Sequence, residues 1–277
     1  MYWLEPLRQD TERIRQENIK IREETERLIE ENRKLKSIDT DKLLQQIIKQ
    51  PKLTMKIFLD TADVDLIRPA YETGLIDGVT TNPTLILRSG RQLKEVITEI
   101  SESFPNLRSI SAEVVGDTAE EMLRQASDYL EISNYKEGEI NITIKVPCTV
   151  EGLKVCKALT RIGHKVNVTL VFSVAQAILA SKAGATYISP FVGRLEDQSF
   201  DGLGLIKNIR EVYDQSYTDT QILAASIRDV RQVEQCAKYG ADVVTIPPLV
   251  FWKMYKNILT DSGLAAFDSD WKEVLGQ

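Results

Sequence analysis

Histidine is nearly absent from these 277 residues: His164 stands alone. The three cysteines, Cys148, Cys156 and Cys236, contain no C-x-x-C pair, so the chain lacks the ligand set of a zinc site. Their odd number also excludes a regular disulfide framework and fits a reducing, cytoplasmic setting. No apolar run is long enough to span a bilayer, and the charged N-terminus lacks the apolar core of a signal peptide, so a soluble protein without a membrane partner is expected. A basic excess is missing too. The formal net charge is -6, and residues 1–50 are neutral, with 11 Lys+Arg against 11 Asp+Glu, which argues against a nucleic-acid-binding arm.

What is present falls into two parts, residues 1–54 and 55–277. In the first, Leu7, Ile14, Ile21, Leu28 and Leu35 recur every seven residues in a stretch free of proline and glycine. That spacing predicts a helix with a narrow apolar seam. With these as d positions, the g positions carry Asp10, Glu17, Glu24 and Glu31, and the e positions carry Arg8, Arg15, Arg22, Ile29 and Lys36. Acid facing base across an interface suits a coiled coil, although polar residues at a (Thr11, Asn18, Thr25, Asn32) fit a solvated single helix equally well. Association is the role expected of this segment. A short helix and a linker ending near Pro51 lead into the second part.

From Met55 the pattern becomes eight short β-rich runs separated by amphipathic stretches: 56–60, 78–82, 109–115, 141–146, 165–172, 186–192, 221–226 and 242–246. Two of the intervening segments open with capping-box spacing, Asp117 with Glu120 and Ser173 with Gln176. Repeated βα units need parallel strands joined by right-handed crossovers, and eight of them close most naturally into a (β/α)8 barrel. A doubly wound open sheet is the alternative. Against it, the first run is followed by Thr-Ala-Asp, not by a glycine-rich phosphate loop, so no dinucleotide cofactor is expected.

Barrel active sites lie at the carboxyl ends of the strands, and polar residues collect there in this sequence. Asp60 closes the first run, Asn82 the second, Glu113 stands late in the third and Lys145 late in the fourth. Asn167 and Thr169 fall in the fifth, Ser189 and Arg194 in or just after the sixth, and Ser226 and Arg228 at the end of the seventh. Lys145 is the most telling, sitting in the apolar run Thr143-Ile-Lys-Val-Pro147. A lone strand-end lysine ordinarily snorkels to water; in a dry barrel mouth a neutral amine attacks a carbonyl to form a Schiff base. Asp60 and Glu113 are the candidate proton shuttles, with helix capping as the other use of Asp60 and Asp63 the better cap. Arg194 and Arg228, with Ser226, offer planar donors for a phosphate, so a phosphorylated sugar is the expected ligand.

The strings LDTAD at 59, GVTTNP at 78, KVPCT at 145, NVTLVFS at 167, SPFVGR at 189 and AASIR at 224 resemble those of transaldolases, in order and at suitable spacing, over about residues 55–275. The compact form is most similar to the short subfamily that also holds fructose 6-phosphate aldolases. The resemblance implies a (β/α)8 fold and transfer of a dihydroxyacetone unit between ketose and aldose phosphates in the pentose phosphate pathway, without cofactor or metal. It implies Lys145 as the Schiff-base lysine, Asp60 as acid/base at the hydroxyl whose deprotonation breaks the C–C bond, and Glu113 acting with Thr169 through a water. Asn82 and Asn167 match amides that hold the dihydroxyacetone hydroxyls; Ser189, Arg194, Ser226 and Arg228 match positions around the substrate and its phosphate. Ile227 departs from the common pattern, where many members carry an aromatic residue. In the aldolase sister group the resemblance places glutamine at Glu113 and tyrosine at Phe191, so both residues point to transfer. It also implies a homo-oligomer, rings of five that pair into ten.

Overall fold

The computed structural model describes residues 55–132 and 142–275, together with Lys20, Glu24 and Arg27, which are helical and exposed. By its contacts the chain divides into two units, Met1–Leu53 and Thr54–Gln277. The heptad seam at Leu7, Ile14, Ile21, Leu28 and Leu35 lies outside the described residues.

Eight strands form one closed, fully parallel barrel in sequence order. They are β1 (Lys56–Asp60), β2 (Gly78–Thr80), β3 (Ser109–Glu113), β4 (Ile142–Pro147), β5 (Val166–Val171), β6 (Tyr187–Pro190), β7 (Gln221–Ala224) and β8 (Val243–Ile246). The helices between them are α1 (Val64–Glu72), α2 (Pro83–Ser89), α3 (Leu93–Ser103), α4 (Ala119–Leu130), α5 (Val150–Arg161), α6 (Val174–Lys182), α7 (Val192–Glu196), α8 (Gly202–Ser216) and α9 (Val230–Lys238), followed by α10 (Pro248–Lys253) and α11 (Ile258–Leu275).

The strands' period of two separates two cores. Outward residues such as Leu59, Val79, Ile110, Ile144, Val168, Ile188, Ile222 and Val244 pack with the helices in one large cluster. Inward, Phe58, Tyr187, Leu223, Ala225 and Val243 form a second, smaller one, with Phe58 and Tyr187 edge-to-face at 5.9 Å. Gly78 makes room for Phe58: a Cβ there would stand 2.8 Å from the ring and 2.6 Å from the Ser109 carbonyl oxygen. The other inward positions are mostly polar, and at the amino end Lys56 donates to Gln221 at 2.8 Å and Ser109 meets Thr143 at 2.8 Å. The apolar plug separates these pairs from the polar residues at the carboxyl ends of the strands, such as Asp60, Glu113 and Lys145, which is the place for chemistry.

Short polar caps start most of the barrel helices. Asp63, Asn82, Thr118, Thr149, Ser173, Asp201 and Asp229 each accept backbone N–H bonds from the first helical turn, an interaction typically worth about 1 kcal/mol apiece. Asp63, not Asp60, caps α1. The capping box of α4 lies one residue later than its sequence suggests, at Thr118 with Glu121, because Thr118 is the residue whose side chain reaches the N3 amide. Several strands are also shorter than their apolar runs. β2 stops at Thr80 since Asn82 turns to cap α2, and β7 stops at Ala224 since Ser226 takes a left-handed φ of 59°.

Candidate active site

Lys145 rises from the late part of β4 into the barrel mouth, 5% exposed, and its Nζ pairs with Glu113 Oε2 at 2.9 Å. The partnership follows from register, because Lys145 and Glu113 are directly opposite one another on β4 and β3. Lys145 Nζ also donates to the Thr81 carbonyl oxygen at 3.3 Å. Sequestered from water, this amine is held by protein groups and does not snorkel.

Asp60 closes β1 inside the same cavity. Burial raises its carboxyl above the ordinary value of 3.8, against the opposing pull of the Lys145 charge and a hydrogen bond from Thr80. Thr80 Oγ1 donates to Asp60 Oδ1 at 2.9 Å and lies 2.6 Å from Thr245 Oγ1. A hydroxyl has one proton to give, so Thr245 donates to Thr80 and Thr80 to Asp60. A carboxylate raised toward neutrality and aimed into a cleft is suited to taking up and returning a proton.

The amides present donors. Asn82 Oδ1 accepts from Leu85 N at 3.0 Å, leaving its amide N–H groups for the cavity. Asn167, opposite Lys145 on β5, accepts from Ser189 Oγ at 2.8 Å, and its Nδ2 is buried without a partner, as is Thr169 Oγ1. Polar atoms left open in a dry interior await a ligand or a water. The β5–β6 register shifts between Val168 and Val171, and within that irregularity Leu170 adopts a left-handed φ of 58° and joins the cavity wall.

Two arginines come from neighbouring loops that the backbone ties together: Val192 N donates to Ala225 O at 3.0 Å and Gly193 N to Ser226 O at 3.0 Å. Gly193 is required by this approach, since a Cβ would fall 2.0 Å from Ser226 O and 2.9 Å from Arg228 Nε. Arg228 Nη2 donates to Asp197 Oδ2 at 2.7 Å, and its backbone N–H is held by Gln232. Arg194 lies over the Phe191 ring at 4.8 Å, and Phe191 in turn meets Phe172 edge-on at 5.8 Å. Left-handed backbone at Ser226 costs on the order of 1–3 kcal/mol and is the sort of strain that gathers at functional loops.

The cavity measures about 390 Å³ and is lined by Asp60, Asn82, Glu113, Lys145, Ser189, Phe191, Arg194, Ser226 and Arg228 among others. Nine of the eleven residues expected from sequence thus meet there, while Asn167 and Thr169 stand behind the lining. Thr80, Thr245, Leu170 and Arg88 also line it, beyond the residues expected from sequence. Thr80 was legible as the residue two before Asn82, on the same face of the strand; Arg88 carried no signal, since only the packing of α2 turns it toward the mouth.

Comparison with known proteins gives this geometry a family. The model described as transaldolase/fructose-6-phosphate aldolase matches residues 57–277. This chain belongs to the transaldolase/fructose-6-phosphate aldolase family. Among curated transaldolase relatives, the "Probable transaldolase" of Paracoccus denitrificans (strain Pd 1222) is 54% identical over 217 residues, covering 78% of this chain and 96% of the relative. That of Chelativorans sp. (strain BNC1) shows the same identity and coverage. A solved structure titled "Native KDPGal structure" superposes with a TM-score of 0.50 at 18% identity, over 82% of this chain and 98% of that one, which shows the shared fold. The protein is an enzyme of the transaldolase class. Its three cysteines are free, His164 is remote from the cavity lining, and the described residues hold no cluster of His, Cys, Asp and Glu suited to a metal ion.

Proposed function

We propose that the protein transfers a dihydroxyacetone unit from sedoheptulose 7-phosphate to glyceraldehyde 3-phosphate, giving erythrose 4-phosphate and fructose 6-phosphate in the pentose phosphate pathway. The observation that carries the reading is Lys145, buried and ion-paired to Glu113 at the floor of a cavity with arginines on its rim. Transfer of the ammonium proton to Glu113 frees the amine to attack the ketose C2 carbonyl; the carbinolamine loses water to give an imine. Asp60 then takes the proton of the C4 hydroxyl. The C3–C4 bond breaks, its electron pair moves into the imine as an enamine, and the aldose phosphate leaves. The enamine adds to the aldehyde carbon of the acceptor, Asp60 returns its proton to the new hydroxyl, and water releases the ketose from Lys145. The open amides of Asn82 and Asn167 suit the C1 and C3 hydroxyls, Ser189 orients Asn167, Thr169 and Glu113 suit a shared water, and Arg194, Ser226 and Arg228 suit the phosphate.

Phe191 favours transfer over free release, because a phenyl ring cannot protonate the carbanionic intermediate as a phenol could. Fructose 6-phosphate turnover that requires erythrose 4-phosphate supports transfer; equal turnover without the acceptor assigns the protein to aldol cleavage instead. Borohydride trapping should label Lys145, and a protein left unlabelled would refute the imine.

The enzyme is further proposed to act as a homo-oligomer. Supporting this, α11 has no buried residue and exposes Leu264, Phe267, Trp271 and Val274. Such a face calls for a cover, and a second copy is the occupant the resemblance implies. Light scattering should give a mass several times 31.3 kDa; a monomer would refute it.

A further inference from the structure

Three arginines line the active-site cavity, and two of them are held. Arg228 is tied to Asp197 and Arg194 rests on the Phe191 ring. Arg88 makes no ion pair, side-chain hydrogen bond or ring contact among the described residues, whereas its neighbour Arg91 is engaged by Glu99 at 2.6 Å. Arg88 also stands across the mouth. It comes from α2, the helix after β2, four strands around the closed ring from β6, after which Arg194 follows in α7. It sits in the last turn of α2, on the opposite side of the cavity lining from the loops that carry Arg194 and Arg228. Leu85 and Arg88 line both this cavity and an adjoining one of about 490 Å³ beside α1, so the wall at Arg88 opens outward.

We infer that Arg88 is a specificity-determining residue that takes up the phosphate of the longer ketose. This rests on the transfer reading above. With C2 fixed at Lys145, the phosphate of a seven-carbon ketose lies one carbon farther from the imine than that of a six-carbon ketose. A single rigid clamp cannot serve both distances equally. The held pair, Arg194 and Arg228, suits one; the unheld Arg88, across the mouth where the wall opens outward, suits the other. A flexible guanidinium gives up rotamer freedom only when the longer substrate recruits it.

The test compares kcat/KM for sedoheptulose 7-phosphate and for fructose 6-phosphate, with unphosphorylated glyceraldehyde as common acceptor, in the unaltered enzyme, Arg88→Gln and Arg88→Lys. Taking the ratio of the two substrates within each preparation cancels any loss of folded protein. The ratio of seven-carbon to six-carbon ketose should fall about tenfold in Arg88→Gln, the size of one charge-assisted hydrogen bond, and less in Arg88→Lys, which keeps the charge. A ratio unchanged within about twofold in Arg88→Gln, or an equal fall in both variants, overturns the role. Failure of the transfer reading looks different: the unaltered enzyme would then turn over ketose phosphate without needing an acceptor.

Discussion

Asp60→Asn should separate C–C cleavage from imine formation. Asparagine preserves the shape and the oxygen that accepts the Thr80 hydroxyl at 2.9 Å, so the Thr245–Thr80 chain survives. What disappears is the charge and the proton acceptor. Loss of a positioned base lowers the rate about 10²- to 10⁴-fold, roughly 3–5 kcal/mol of barrier, and this should appear in transfer between phosphorylated sugars. Imine formation with dihydroxyacetone breaks no C–C bond, so borohydride should still label Lys145. Stability supplies a second reading with a definite sign. Burial raises the Asp60 carboxyl in the folded protein, so its contribution is full below the ordinary value of 3.8 and is lost as pH rises through the folded value. A neutral amide has no such loss, and the variant's melting temperature relative to the parent should therefore climb from acid toward neutral pH and then level off. Transfer retained within about tenfold, labelling that falls in step with transfer, or a stability difference that shrinks as pH rises would each refute the reasoning.

Three further outcomes are expected. Phe191→Tyr should raise cleavage to free dihydroxyacetone relative to transfer, and an unchanged product ratio would count against the part given to Phe191. Gly193→Ala drives a methyl to 2.0 Å from the Ser226 carbonyl oxygen, so thermal or denaturant unfolding should show a loss of about 1–3 kcal/mol, with a raised KM for phosphorylated ketoses as the Arg194–Arg228 clamp is spread. Ser226→Gly relieves a left-handed φ of 59° and should stabilise the fold by about 1 kcal/mol while raising the KM for the same substrates; a stabilised variant with unaltered KM would place the hydroxyl outside the phosphate site.

Period and capping were written in the chain itself. Eight β-rich runs with caps behind them specify parallel strands and crossover helices by local rules, and Lys145, Asp60 and Glu113 stood out because charge inside an apolar run has few structural explanations. The limits of that legibility were local as well. The seventh run read as extending through Ser226, but the close approach of the Gly193 and Ser226 backbones bends it into a left-handed turn that no propensity foretells. Asn82 read as a strand end and proved to be a cap with its amide still free. The sequence alone determined that the polar residues lie at one end of a barrel, since alternation and strand direction depend on neighbours along the chain. Only tertiary structure decided which of them touch. The Lys145–Glu113 pair comes from the β3–β4 register, the raising of Asp60 from its burial in the barrel, and the placing of Arg88 opposite Arg194 from closure of the ring. Distance and dielectric between residues far apart in sequence are properties of the packed molecule.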